Sequence, residues 1–195
     1  MVSEQTGAFE ELPITGLKRM PKPAHSGGAG SLGSSAGARI GHINLKVADL
    51  NRSLAFYEGV LGFKITKRIG DEAAFLAYGD YHHDICINTW ESFGGSPPAK
   101  GTTGLFHLAI VYATKAELRA AYLRLRTAGI TLDNAVDHGV SQSLYLRDPD
   151  QNGVELYWDR PRDRWWGDSG ELKMGHRPVD PEELLRSDVG DVQQS

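Results

Sequence analysis

Residues 41–63, GHINLKVADLNRSLAFYEGVLGF, change their hydrophobic period half-way along. From Ile40 to Val47, the apolar Ile43, Leu45 and Val47 alternate with His42, Asn44 and Lys46, which is the period of two of a strand. Asp49 then stands as a helix N-cap. Leu50, Leu54, Tyr57 and Leu61 fall on one helical stripe, and Gly62 closes it. The stretch reads as a strand followed by the helix that covers it.

Further along, Lys64–Arg68, Ala73–Tyr78 and Asp84–Asn88 read as three more strands, divided by Gly-Asp turns at 70–71 and 79–80. Gly94–Gly104 reads as a linker, and then the pattern returns. Leu105–Val111 reads as a strand with Phe106, Leu108 and Ile110 on one face and His107 on the other. Thr114 and Glu117 form a capping box, Leu118, Tyr122 and Leu125 make the next stripe, and Gly129 ends it. Short strands are expected around Ile130–Leu132, Ser143–Arg147 and Gly153–Trp158, with a turn at Asp148–Gly153.

His42 and His107 are 65 residues apart, and so are the N-caps Asp49 and Thr114. This is an internal repeat, each copy reading strand–helix–strand–strand–strand. One helix cannot cover both faces of four strands. Two copies can curl into a cup with the helices outside and a cavity inside. The expected class is α+β: paired βαβββ modules, residues 39–97 and 104–160, forming a cupped eight-stranded mixed sheet.

The flanks read differently. Residues 21–38 are Gly, Ser, Ala or Pro except for Lys22, His25 and Leu32, so 1–38 are expected to form a flexible arm. Residues 161–195 read as a partly disordered C-terminal extension. In it Trp165 and Trp166 dock on the domain or on a partner subunit, and Asp180 caps a short helix from Pro181.

The 195 residues carry 21 Lys and Arg against 25 Asp and Glu, a formal charge of −4. That balance gives no electrostatic footprint for nucleic acid. One cysteine, Cys86, excludes an internal disulfide, and no apolar run is long enough for a membrane span. The N-terminal residues do not follow the pattern of a secretory signal, so a cytoplasmic location is expected.

The alternation says which side chains enter the cup. If Ile43, Leu45 and Val47 pack on the helix, His42 points inward. The same argument sends His107 and Glu155 inward. Two imidazoles and one carboxylate on strands are the ligand set of a metal site with open positions, suited to Fe(II), Mn(II), Ni(II) or Zn(II). A single His on a half-buried strand is usually structural. Three such residues at matched positions of a repeat point to a metal.

GHINLKVADLNRSLAFYEGVLGF, YHHDICINTW (81–90), GLFHLAI (104–110) and DHGVSQSLYLRDPDQNGVELYWDRP (137–161) together resemble the vicinal oxygen chelate superfamily. That group includes metal-dependent glyoxalases, extradiol ring-cleaving dioxygenases and thiol transferases. The resemblance covers residues 39–160 and implies the paired fold, with His42, His107 and Glu155 as the metal ligands. It runs closest to the catechol 2,3-dioxygenase branch. There His83, followed by Asp84, takes the position of an acid/base beside dioxygen, and His138 and Tyr145 those of groups contacting the catecholate. The resemblance implies an Fe(II)-dependent extradiol dioxygenase acting on an aromatic diol. The tail from Asp159 to Leu185 also resembles the segment after the first module in a two-module type of these enzymes, which suits a homodimer. Each site would combine His42 and His83 of one subunit with His107, His138, Tyr145 and Glu155 of the other; an intrachain cup is equally drawable.

Two other readings compete. A glyoxalase-type lyase would use the same cup, with a fourth acidic ligand on the strand HHDICIN, where only Asp84 is acidic. A non-enzymatic binding protein would have no need of three ligand positions. The aromatics Phe75, Trp90, Phe93 and Tyr157 are candidates for a wall around a flat substrate or, more simply, for core packing. If the strand register shifts by one, His82 takes the place of His83.

Overall fold

The computed structural model describes residues 39–182. The expected flexible arm at 1–38, most of the helix expected after Pro181, and the last nine residues lie outside these.

The first half consists of β1 (Ile43–Lys46), α1 (Leu50–Leu54), β2 (Lys64–Ile69), β3 (Ala73–Ala77) and β4 (Ile85–Asn88). The second consists of β5 (Leu108–Tyr112), α2 (Lys115–Thr127), β6 (Leu132–Asp137), β7 (Ser141–Arg147) and β8 (Gly153–Asp159). A short strand, β9 (Arg177–Pro178), comes after them.

The strands form two mixed sheets, β1-β4-β3-β2 and β5-β8-β7-β6-β9. In each half the last three strands are antiparallel, and the first lies parallel to the last after the helical crossover. The repeat is therefore a repeat of topology. The single eight-stranded sheet is not continuous: β1 and β5 are both sheet edges, and β9 adds a fifth strand to the second sheet.

Both helices start where the sequence places them. Asp49 Oδ1 accepts the amide of Arg52, and Thr114 and Glu117 exchange both bonds of a capping box. The first helix continues from Leu54 as a π-helical turn, Ala55–Val60, and Gly62 leaves it at φ +88°. Its stripe Leu50, Leu54, Tyr57 and Leu61 is buried, as are Leu118, Tyr122 and Leu125 of α2.

Four strand positions differ from expectation. β1 begins at Ile43 instead of Ile40, so His42 precedes the strand and stands exposed, outside the alternation expected to turn it inward. β5 begins at Leu108, because the chain at Phe106–His107 runs tightly over Gly153, whose position has no room for a Cβ against the Phe106 carbonyl. Phe106 consequently stands 78% exposed instead of joining the buried face. β6 lies at 132–137, not 130–132, because a register shift between Leu132 and Asn134 hides its alternation. β4 starts at Ile85, so His82, His83 and Asp84 precede the strand and alternation does not govern them.

The halves share one hydrophobic cluster, with Leu45, Leu54, Phe56 and Ile87 from the first and Leu118, Leu125, Leu144 and Leu156 from the second. Polar contacts fix their relation. Asp150, buried in the β7–β8 turn, accepts from the Ala48 amide, the Arg52 guanidinium and the Ser53 hydroxyl. The Tyr57 hydroxyl donates to Asp148 at 2.9 Å. Arg124 of α2 donates to the carbonyls of Val60 and Leu61, which the end of the first helix leaves unpaired. No helix among the described residues is long and apolar enough to cross a membrane.

Candidate active site

β8 and β7 present Glu155 and Tyr145 in direct register, so their side chains leave the sheet on the same face. Leu144, Leu146, Val154 and Leu156, which alternate with them, are buried in the core. The Tyr145 hydroxyl donates to Glu155 Oε1 at 2.8 Å. The other carboxylate oxygen, Oε2, lies 3.1 Å from His107 Nε2. His138, in the turn between β6 and β7, brings Nε2 to 2.8 Å from the Tyr145 hydroxyl. Its Nδ1 is 2.8 Å from the carbonyl oxygen of Gly175. Four of the six site residues expected from the sequence thus form one connected chain: His138, Tyr145, Glu155 and His107.

The protons of that chain can be followed bond by bond. The Gly175 carbonyl only accepts, so His138 Nδ1 carries a hydrogen. The single Tyr145 proton goes to the carboxylate. The contact of His138 Nε2 with the phenol oxygen competes for that same single proton. Burial, reinforced by the bond to Glu155 and the nearby carboxylate charge, pushes the Tyr145 phenol up to about 12. Tyr145 therefore stays a donor throughout the physiological range.

His42 and His83 lie together elsewhere on the chain, with ring centroids 4.5 Å apart. Phe75 meets His83 edge-on at 5.1 Å. His82 is exposed and reaches His83, Nδ1 to Nδ1, at 2.6 Å. Burial first, then the neighbouring charges of His42 and His82, hold the His83 imidazolium below its usual range. Asp84 Oδ2 accepts the amide of Tyr78 at 2.9 Å, which ties one carboxylate oxygen to the turn before β4.

The six residues accordingly fall into two groups, one on each half of the chain. His42 and His107 both line a groove of about 710 Å³ flanked by β1 and β5. Among the described residues no three His, Cys, Asp or Glu side chains are close enough to hold one metal ion. The second group holds two donors at a spacing that suits metal ligands. Two donors at right angles around an ion, each about 2.1 Å away, are about 3.0 Å apart, close to the His107–Glu155 separation. The buried Nδ1 of His107 has no hydrogen-bond partner. His107 and Glu155 fit two positions of a metal site, which needs a third donor from elsewhere.

Of the aromatic candidates, Trp90 and Phe93 are exposed at 53% and 84%, so they neither pack in the core nor line the site. Phe75 and Tyr157 are partly buried, Phe75 beside His83 and Tyr157 two residues beyond Glu155. Cys86 is buried, and its thiol is free.

Sequence reasoning missed the role of residues 160–178. Trp165 Nε1 donates to the Arg160 carbonyl, a hairpin spans Trp165–Lys173, and β9 pairs with β6. Asp137, buried at the end of β6, accepts from Arg160 at 2.8 Å and Arg177 at 2.7 Å. This strap sets the Gly175 carbonyl against His138 and brings the His176 ring to 5.7 Å from the His138 ring. The signal in the sequence is compositional only: the tail is rich in arginine, but its partner Asp137 lies 23 residues before Arg160 and 40 before Arg177.

Comparison with known proteins fits this geometry. A family model described as the glyoxalase/bleomycin resistance protein/dioxygenase superfamily matches residues 39–156, and the chain belongs to that superfamily. It is 39% identical over 153 residues to a catechol-2,3-dioxygenase of Bacillus subtilis (strain 168), an alignment covering 78% of this chain and 52% of that protein. It is 36% identical over 123 residues to biphenyl-2,3-diol 1,2-dioxygenase 3 of Rhodococcus globerulus, covering 62% and 63%. A probable lactoylglutathione lyase of Vibrio cholerae is 30% identical over 129 residues, covering 60% and 88%. The chain thus spans half to two thirds of the length of the two dioxygenases. A solved glyoxalase/dioxygenase structure from Nostoc punctiforme shares the fold, with a TM-score of 0.54 at 20% identity over 63% of this chain and 92% of that one.

Proposed function

We propose that the protein is an extradiol dioxygenase that cleaves a catechol-type aromatic diol, using Fe(II) held by His42, His107 and Glu155 in a site shared between two copies of the chain. The observation that carries the reading is the hydrogen-bonded chain from His138 through Tyr145 to Glu155. In this reading a phenol and an imidazole stand beside a candidate ligand, ready to hydrogen-bond diol oxygens. A glyoxalase-type lyase is the second reading. Asp84, the acidic residue where such an enzyme would carry a fourth ligand, lines the groove with His42 and His107 but has one carboxylate oxygen engaged by the Tyr78 amide. The similarity to two diol dioxygenases favours the first reading.

The shared site rests on the division of the six residues. His42 and His83 belong to one group, and His107, His138, Tyr145 and Glu155 to the other. Both open edges, β1 and β5, flank a groove whose rim includes Ile40, Leu105 and Val111, exposed at 87%, 59% and 55%. Apolar side chains and unpaired strand edges so placed suit a twofold contact that sets β1 of one copy beside β5 of the other.

Fe(II) at these ligands supplies open coordination positions and the redox chemistry that joins a diol to dioxygen. The chain's own residues do the rest. His138 and Tyr145 orient the diol by hydrogen bonds to its oxygens. His83, neutral near pH 7 because its charged form is disfavoured, takes a diol proton and later returns one. Phe75 holds the His83 ring from its edge.

The test uses protein purified without oxygen and loaded with Fe(II). Catechols are added, air is admitted, and oxygen uptake is followed with the yellow ring-opened product. The reading expects both signals, lost in Glu155→Ala and strongly reduced in His83→Ala. Metal binding without oxygen uptake on any catechol would overturn it in favour of the lyase.

A further inference from the structure

Beside the candidate active site lies a second cavity, of about 600 Å³, built almost wholly by the C-terminal strap. Arg160, Arg164, Lys173, His176 and Arg177 line it, against the carboxylates of Asp137 and Asp163. All five basic residues lie beyond the stretch that the family model matches. The cavity therefore stands outside the part of the fold that the superfamily shares.

We propose that this cavity is an anion subsite that takes the carboxylate of an aryl carboxylate substrate, with Arg164, Lys173 and His176 setting that preference. The inference rests on the dioxygenase reading for what happens to the diol, and on the cavity alone for the anion.

Three observations carry it. First, the charges do not balance. Asp137 is buried and already accepts from Arg160, Arg177 and the Gly139 amide, so that knot is structural. Outside the knot, Arg164 and Lys173 share the lining with Asp163 alone, so four fixed cations, Arg160, Arg164, Lys173 and Arg177, face two carboxylates, Asp137 and Asp163. An excess of positive charge in an open pocket concentrates anions, and a guanidinium matches a carboxylate in bidentate geometry. Second, the cavity adjoins the reaction centre. His176 lines both it and the cavity of about 380 Å³ that contains His107, His138 and Tyr145. An aromatic ring held against Tyr145 and His138 can direct a substituent past His176 towards Arg164. Third, the strap is anchored as a positioned wall. The Asp137 knot and the β6–β9 pairing hold it, and a Cβ at Gly139 would collide with the Lys173 carbonyl.

The test compares catechol with 3,4-dihydroxybenzoate, and adds benzoate as an anion without a diol. Wild type, Arg164→Gln/Lys173→Gln and the control Lys67→Gln/Lys100→Gln are measured as full chains. All four positions are exposed, so folding is not at stake. Benzoate binding is read by calorimetry on metal-free protein, and KM by oxygen uptake on the Fe(II)-loaded protein. The proposal expects the carboxylated catechol to have the lower KM. It expects Arg164→Gln/Lys173→Gln to raise that KM about tenfold, weaken benzoate alike and leave catechol unchanged, with the control silent. Equal KM for both catechols in wild type, or an equal loss for both in the double variant, would overturn it while leaving the dioxygenase reading intact. Benzoate binding that depends on Arg164 and Lys173, in a protein that cleaves no catechol, would sustain the subsite and overturn the dioxygenase reading instead.

Discussion

His107 stands just before β5 and Glu155 on the parallel strand β8, and their facing atoms, Nε2 and Oε2, are 3.1 Å apart. At that separation the two atoms could each donate a lone pair to one ion. Nothing in core packing requires this, since the neighbours Leu108, Val154 and Leu156 already fill the interior. If the pair holds a metal, Glu155→Gln keeps the shape but removes the charge. Iron content after anaerobic loading is then expected to fall at least about tenfold, with melting temperature nearly unchanged in the metal-free state. Iron retained at wild-type level would show that the pair is only a hydrogen bond.

Tyr145 gives a pH-dependent signature. Its phenol is raised to about 12, first by burial and then by Glu155. A raised acid stabilises the fold below the ordinary tyrosine range and loses that contribution as pH rises through the folded value. Tyr145→Phe should therefore leave the ultraviolet titration near pH 10 unchanged and remove one phenol from the titration above it. A loss of amplitude near pH 10 would show instead that Tyr145 ionises as an ordinary phenol. In the Fe(II)-loaded enzyme, Tyr145→Phe should lower kcat/KM for a catechol about 10- to 100-fold, as a lost substrate hydrogen bond does.

His83 shifts the other way. Burial and the charges of His42 and His82 depress its protonation. A depressed base contributes stability that is present above pH 6.5, its ordinary value, and lost as pH falls through the folded value. The His83 ring proton resonances should titrate below pH 6.5 and move upward in His42→Gln, where one charged neighbour is gone. An unchanged midpoint in that variant would sever the link between the two histidines.

Asp137 ties the strap to the sheet. Burial opposes its ionisation, but the Gly139 amide, Arg177 and Arg160 outweigh that and hold it below the usual carboxylate range. Its contribution is present above the ordinary carboxylate range and lost as pH falls through the lower folded value. Asp137→Asn should cost about 2 kcal/mol, since two guanidinium groups lose their anion. It should also speed proteolysis within 160–178. Unaltered proteolysis would mean that β9 alone anchors the strap.

The sequence carried much of this because its periods were undisturbed. Asp49, Thr114 and Glu117 cap their helices as read, and both apolar stripes are buried. His42 and His107 recur because the topology recurs. The features that could not be read came from contacts distant in the chain. Asp148 and Asp150 looked like turn residues, yet they fasten the first helix through Tyr57, Arg52 and Ser53. A register shift concealed β6, and close passage over Gly153 shortened β5. The strap was invisible because its order depends on Asp137, 40 residues before Arg177. The alternation argument could not choose between His82 and His83, because neither lies in a strand.

The most direct test mixes two inactive variants. His42→Ala and Glu155→Ala are each dissociated, combined in equal amounts, reassociated, loaded with Fe(II) and given catechol under air. If each site takes His42 from one copy and Glu155 from the other, every hybrid dimer regains one intact site. The mixture should then recover about a quarter of wild-type oxygen uptake and ring-opened product. A mixture as inactive as its two components would contradict a shared extradiol centre.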